Sequence, residues 1–275
     1  MSRLSKTNFK TAKDNTYSDG LPAGSTTRQN HRDVHENVAD SVLFLDDYEN
    51  IDTRFFDQDD FVYNNGNFTA PNWVEGYGFS GSTSANSTYG IDTTENAIGV
   101  ADMITGTNSS GYAGIGKGFG TSVNNLVFGT HELTLGLRVA PQNLSDGTDT
   151  YSLYFGFGDN QGAGDQGNGA YFRYTHSVNS GKYQAVTASA SSRTASDTGI
   201  AATTTYKVFS IVVNQAASSI GFYIDGALVA TNTLNIPSSS TKLGVFLKID
   251  KSAGTTSRRL SIDWYSLLKT RTSAR

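Results

Sequence analysis

The chain has 275 residues, a formal net charge of -4 and a sequence pI near 5.5, with 17% charged residues, 11% aromatic residues and no cysteine. Gly, Ser, Thr and Asn supply about two-fifths of it, which argues against a helical protein and for β structure linked by turns. The missing cysteines exclude disulfides, thiolate chemistry and Cys-ligated zinc, and the acidic balance offers no field to hold a polyanion, so nucleic acid is not an expected partner.

The opening MSRLSKTNFKTAKDN is positively charged but has no apolar run behind it, and no stretch approaches membrane-spanning length. Neither a signal peptide nor a membrane partner is therefore expected. Residues 1–30 are polar, carry Lys6, Lys10 and Lys13, and lack the apolar content for a core. From Thr26 the pattern becomes helical: Val34, Val38, Val42 and Leu45 share one face, with Arg32, Glu36 and Asp40 opposite. Such a helix, about four to five turns long, is marginal alone and needs a surface to dock on.

Beyond Asp46 the sequence reads as successive strands. Weaker candidates lie at 53–62, 73–79, 87–93 and 96–103. The segment GYAGIGKGFG (111–120) reads as a flexible or strand-edge glycine series. In HELTLGLRVA (131–140) Leu133, Leu135, Leu137 and Val139 fall on one face, and in TYSLYFGFG (150–158) Tyr151, Leu153, Phe155 and Phe157 repeat the pattern. Further strands are expected at 169–176, 182–188, 206–214, 219–224, 227–232, 243–249 and 259–267. Asp225-Gly226 sits between two alternating runs and meets the positive-φ demand of a two-residue hairpin turn. Many short strands joined by Gly-rich loops imply an all-β protein of two antiparallel sheets packed face to face. Acids crowd residues 41–60 and bases crowd residues 251–275, so the first and last strands are expected to lie close together, the alternative being two solvated ends.

Two resemblances to known families follow from particular residues. In NTYSDGLPAGSTTRQNHRDVHENVADSVLFLDD (15–47), Asp19-Gly20 followed by Arg32, Val38, Asp40 and Ser41 resembles the N-terminal region of tailed-bacteriophage tail-fibre and head-fibre proteins. Residues 55–275 resemble the concanavalin A-like, laminin-G-like jelly-roll domains of phage fibres and surface proteins. That likeness rests on FFDQDDFVY, on the series YKVFSIVVNQAASSIGFYIDGALVATNTLNIP with Phe222, Ile224, Gly226, Val229, Thr231, Thr233, Ile236 and Pro237, and on SIDWYSLL (261–268).

The resemblances imply a virion structural protein, whether tail fibre, head fibre or decoration subunit, made in the bacterial host cytoplasm. Residues 1–50 would form an extended arm and one short α-helix, anchored through Arg32, Val34, Val38, Asp40, Ser41, Val42 and Leu45 to capsid, collar or tail proteins. Residues 51–275 would form a jelly-roll sandwich, with homo-oligomers, trimers in particular, expected of fibres.

The residues offer little for catalysis. Glycoside hydrolysis needs paired carboxylates, yet the glutamates are Glu36, Glu49, Glu75, Glu95 and Glu132, and none sits in an alternating acid strand. No Ser lies in a nucleophile elbow, and no helix pattern follows the glycines at 111–120 to cradle a phosphate. His31 and His35 lack a third spaced ligand, so neither metal nor cofactor is expected. The loop GFGDNQGAGDQGNGA (156–170) gathers Asp159, Asn160, Asp165 and Asn168, a mixture able to surround Ca²⁺ or contact a ligand, although it reads first as a long solvated hairpin loop. A host-surface glycan remains a candidate partner, since tyrosines beside Asn and Asp on a sandwich suffice for sugar recognition. Trp264 alternates with Leu260 and Ile262 and is assigned to the core, whereas Trp73 is not assigned. The expectation is thus a non-enzymatic virion protein, with a carbohydrate-binding module as the alternative and a polysaccharide depolymerase third.

Overall fold

Alternation governs the architecture. The computed structural model describes residues 54–59, 80–91, 99–118 and 126–270. Its strands are β1 (Arg54–Asp59), β2 (Ser80–Thr83), β3 (Thr88–Ile91), β4 (Ala101–Ile104), β5 (Gly111–Lys117), β6 (Glu132–Pro141), β7 (Tyr151–Gly158), β8 (Gly169–Thr175), β9 (Lys182–Ser189), β10 (Ser192–Ala201), β11 (Lys207–Val213), β12 (Ile220–Ile224), β13 (Ala227–Asn232), β14 (Gly244–Lys251) and β15 (Arg259–Thr270). The only helix among the described residues is a 3-10 turn at Asn179–Gly181. The arm and helix over residues 1–50, with Arg32, Val34, Val38, Asp40, Ser41, Val42 and Leu45, lie outside the described residues, as do Trp73 and the strand expected at 73–79.

The strands form two sheets. An eight-stranded sheet runs β13-β12-β11-β6-β15-β4-β3 with β1 also paired to β15, and a seven-stranded sheet runs β10-β9-β8-β7-β14-β5-β2. The β1–β15 pairing joins the first described strand to the last, as the opposed charges of the two ends predict. Phe55–Thr270 forms one compact unit.

Each strand turns one face inward. Leu133, Leu135, Leu137 and Val139 from β6 and Tyr151, Leu153, Phe155 and Phe157 from β7 are all buried, as their spacing requires. At the centre, the Phe155 ring lies 4.8 Å from Phe209 and 5.7 Å from Phe172, while Phe172 meets Phe222 edge-on at 5.3 Å and Tyr183 meets Phe209 at 5.0 Å. Edge-to-face pairs of this kind add about 0.5–1.5 kcal/mol each beyond the area they bury. The hairpin between β12 and β13 turns on Asp225 and Gly226, both at positive φ (51 and 82°). The Asp225 carboxylate secures it by accepting bonds from the Val208 N–H and Lys207 Nζ, each at 2.9 Å.

Three expectations change. The glycine series at 111–120 contains a fully paired strand, β5, between β14 and β2. Its Ala113 and Ile115 enter the core, so its glycines serve close packing rather than flexibility. Residues 192–201 form an edge strand, β10, that hydrophobic alternation does not reveal, because its side chains are mostly polar, with Ser192, Arg193 and Asp197 exposed as suits an edge.

Trp264 is not in the core. A bulge in β15 sets Ile262 opposite Val139 but Trp264 opposite Arg138. The extra residue, Asp263, flips the alternation, so Tyr265 and Leu267 continue the buried series of Leu260 and Ile262.

The central ring cluster sets the expected response to truncation. Phe155→Ala should lower unfolding free energy by about 3–5 kcal/mol, from lost transfer energy plus a cavity between the sheets. Denaturant unfolding followed by circular dichroism measures it; a loss below about 1 kcal/mol would mean that the sheets do not depend on this contact.

Candidate functional site

The register of the seven-stranded sheet fixes what its outer face presents. Ser82, Gly114, Lys248, Tyr154, Arg173, Gln184 and Asp197 occupy one row across seven neighbouring strands. The row on one side holds Tyr112, Asp250, Ser152 and Thr175. On the other side lie Gly116, Phe246, Gly156, Tyr171 and Val186. These residues face outward because Leu153, Phe155, Leu247 and Ile249, between them in sequence, fill the interior.

Residues 159–168 join β7 to β8 and fold back onto this face instead of standing in solvent. The glycines permit it. A Cβ at Gly114 would lie 2.8 Å from the Gln161 carbonyl oxygen and 3.0 Å from Lys248 Cβ, and one at Gly158 would collide with Gln166 Oε1. Gln166 is fully buried. Its Oε1 accepts from the Asp159 and Asn160 N–H groups at 3.0 and 2.8 Å, and its Nε2 donates to the Asn160 carbonyl at 2.9 Å.

Beneath the loop Lys248 is 0% exposed. Its Nζ donates to the Gly162 and Gly164 carbonyls at 2.7 and 2.5 Å and lies 5.1 Å from the Tyr154 ring centroid and 5.6 Å from that of Phe246. Burial pushes its pKa down to about 8, against the opposing pull of Asp250, Asp165 and Asp159.

The four loop residues singled out from sequence come together, and their polar atoms hold the loop. The Asp159 carboxylate accepts from the Gly167 N–H at 3.0 Å and from Asn168 Nδ2 at 2.8 Å, and Asn168 Oδ1 accepts from the Ala190 N–H at 2.9 Å. Asn160 accepts from the Gly162 N–H at 2.8 Å and donates to the Ala163 carbonyl at 3.0 Å. Asp165 takes the Tyr171 hydroxyl, Arg173 Nη1 at 2.6 Å and Arg193 Nε at 3.3 Å. Burial, then the Asp165 charge, raises the Tyr171 phenol far above its ordinary pKa, so it stays a donor. Among the described residues no group of three or more His, Asp or Glu side chains is placed to hold a metal ion.

Beside the loop the face stays open. Tyr112, Asp250, Ser152, Thr175, Arg173 and Gln184 are half-buried, a group that sequence reasoning missed because its members come from five strands. The Tyr112 hydroxyl pairs with Ser82 Oγ at 2.9 Å, Ser152 Oγ donates to Thr175 Oγ1 at 3.1 Å, and Arg173 Nε and Nη2 donate to Gln184 Oε1 at 3.1 and 2.9 Å. Asp250 Oδ2 accepts the Gly164 N–H at 2.7 Å. Among the described residues, Asp250 Oδ1 and Gln184 Nε2 make no hydrogen bond to protein, which leaves one acceptor and one donor unused on two half-buried side chains. Apart from the buried Lys248, the cations on this face are matched: Arg173 and Arg193 by Asp165, and Lys182 by Asp197 at 3.2 Å.

The family described as SO2946-like, C-terminal domain matches residues 96–263, more than half of the chain. The chain belongs to this family. A comparison with curated proteins finds no match. Among solved structures, a peanut lectin bound to a nine-residue peptide is similar at a TM-score of 0.50 and 10% identity, covering 80% of this chain and 99% of that one. The Emp47p carbohydrate recognition domain is similar at a TM-score of 0.49 and 9% identity, over 80% and 96% of the two chains. The Bacillus licheniformis β-glucanase is similar at 0.45 and 14%, over 80% and 98%. The SO2946-like domain thus has the two-sheet jelly-roll fold of that lectin. Function has to be argued from its own residues.

The buried lysine gives a pH signature. Its folded value of about 8 lies below the ordinary 10.5, so between these pH values the unfolded chain holds the Lys248 proton more firmly than the native one. Native stability contributed at this position therefore rises with pH across that window. Relative to Lys248→Met, the wild-type protein should gain up to a few kcal/mol between pH 7 and pH 10, measured by denaturant unfolding of both proteins at each pH. A difference independent of pH would contradict the burial of a titrating amine.

Proposed function

We propose that the SO2946-like domain is a non-enzymatic carbohydrate-binding module that takes a neutral glycan on the outer face of its seven-stranded sheet. The supporting observation is the polar row beside the folded-back loop. With Gln184 from the adjoining row, it presents an acceptor at Asp250 Oδ1, a donor at Gln184 Nε2 and the hydroxyls of Tyr112, Ser152 and Thr175, all on paired strands that hold them before ligand arrives. Sugars need such a set, because each hydroxyl both donates and accepts and loses water on binding. Pairing of the cations on this face favours neutral saccharides over acidic ones.

A binding role fits these residues better than hydrolysis. Asp165 is enclosed by two guanidinium groups and a tyrosine hydroxyl, so it is poorly placed to hand a proton to a leaving sugar. Glu132, the sole glutamate among the described residues, is on the other sheet. The SO2946-like protein should bind at least one neutral polysaccharide without releasing reducing ends. Asp250→Ala and Gln184→Ala should each weaken that binding about tenfold, roughly 1.4 kcal/mol, in proteins whose circular dichroism shows the sandwich still folded. Titration calorimetry with a reducing-sugar assay checks both points, and sugar release abolished by an Asp→Asn change would make the protein a depolymerase instead.

A second reading draws on the resemblance of residues 15–47 to phage-fibre N-terminal regions. In it the protein is a virion subunit, anchored by residues 1–50 to capsid, collar or tail and assembled as a trimer, with the sandwich as its glycan-contacting end. Removal of residues 1–50 should then abolish co-purification with phage particles, and retention on the particle would sink this reading.

A further inference from the structure

The bulge at Asp263 turns an aromatic residue that strict alternation would bury into part of an outer surface. Bulges commonly re-aim side chains in this way at functional sites. Trp264 is half-buried on the eight-stranded sheet, and its indole lies down against Gly136. A Cβ at Gly136 would sit 3.1 Å from Trp264 Cζ3, 3.5 Å from Cη2 and 2.8 Å from Ser266 Oγ. A side chain at position 136 would press on the ring edge and on Ser266 Oγ.

Opposite Trp264 on β6 stands Arg138. Its Nη1 donates to the Asp263 carboxylate, and its guanidinium carbon lies 4.8 Å from the Tyr206 ring centroid. The Arg138 side chain is 41% exposed and that of Asp263 17%. Among the described residues, Arg138 Nε and Nη2 and Asp263 Oδ1 have no hydrogen-bond partner. An indole seated on glycine thus adjoins an exposed ion pair that still has two donors and an acceptor to offer. The next positions across the sheet, Gly136, Ser210 and Ser266, are small and leave the surface shallow.

We propose that Trp264, Arg138 and Asp263 form a second saccharide site, on the sheet opposite the polar row, which takes one hexopyranose unit of a neutral glycan. The C–H face of the sugar ring stacks on the indole while neighbouring hydroxyls bridge the guanidinium and the carboxylate. A carboxylated or sulfated sugar fits poorly, because the guanidinium charge is already matched by Asp263. Nucleobases would stack equally well, but the phosphates attached to them meet a chain of net charge -4. The site shares no residue with the seven-stranded face and does not depend on binding there.

The chain has two tryptophans, so Trp73→Phe in the full-length protein leaves Trp264 as the sole indole reporter. Titration of this variant with neutral hexasaccharides of the β-glucan, mannan, xylan and galactan series should change Trp264 emission with at least one of them. Trp264→Ala should weaken that saccharide at least tenfold, Arg138→Gln should weaken it several-fold, and Trp264→Phe, which keeps a ring and the strand packing, should retain most of the affinity. The proposal is overturned if no hexasaccharide perturbs Trp264. It also fails if binding survives Trp264→Ala but is lost in Gln184→Ala, which would assign the saccharide to the other sheet alone. Emission that depends on protein concentration and not on sugar would mean that a second copy of the chain covers the indole, and would equally reject the site.

Discussion

Everything in this fold depends on the rings that fill the space between the two sheets. Phe155, Phe172, Phe209, Phe222 and Tyr183 come from five different strands and meet mostly edge to face. Because side chains alternate along a strand, moving any of these strands by one residue would carry its ring to the outside and a polar neighbour inward. The aromatic interior therefore sets the register of each sheet, and that register decides which side chains share a row on the outer faces. The polar row Tyr112, Asp250, Ser152 and Thr175 is a by-product of burying Leu153 and Ile249 beside it.

The outer face of the seven-stranded sheet then solves a backbone problem. A loop laid on a sheet brings carbonyl groups out of water, and unpaired buried carbonyls are destabilising. Lys248 supplies donors to two of them, at Gly162 and Gly164. Its charge is tolerated because Asp250, Asp165 and Asp159 lie close and the Tyr154 and Phe246 rings present their faces to it. Methionine would fill the same space but leave both carbonyls unmet. The glycines at 114 and 158 complete the arrangement, since only their missing side chains let the loop come down to the strands.

Both outer faces share an electrostatic character. The exposed guanidinium of Arg138 is matched by Asp263, and those of Arg173 and Arg193 by Asp165. Matched charges produce little long-range attraction, so recognition on either face would act at contact distance, through hydrogen bonds and ring stacking. Uncharged, hydroxyl-rich ligands suit such surfaces, and the two faces would reach them differently. One is a polar row beside a buried loop; the other is an aromatic ring flanked by an ion pair.

Local sequence determined the strands whose core residues recur at every second position, β6, β7, β11 and β12, together with the Asp225-Gly226 turn. In each case the periodicity or the positive φ is a property of adjacent residues. Loop residues Asp159, Asn160, Asp165 and Asn168 were also legible as a group, but not the use their polar atoms are put to. Tertiary structure alone decided the rest. Edge strand β10 owes its conformation to hydrogen bonds from β9, which hydrophobic spacing does not encode. Trp264 leaves the core because β15 bulges where its pairing with β6 demands it, and Gly114 matters because a loop some fifty residues later in the chain rests on it. These features depend on which distant segments become neighbours, and that is settled by the packing of the whole sandwich.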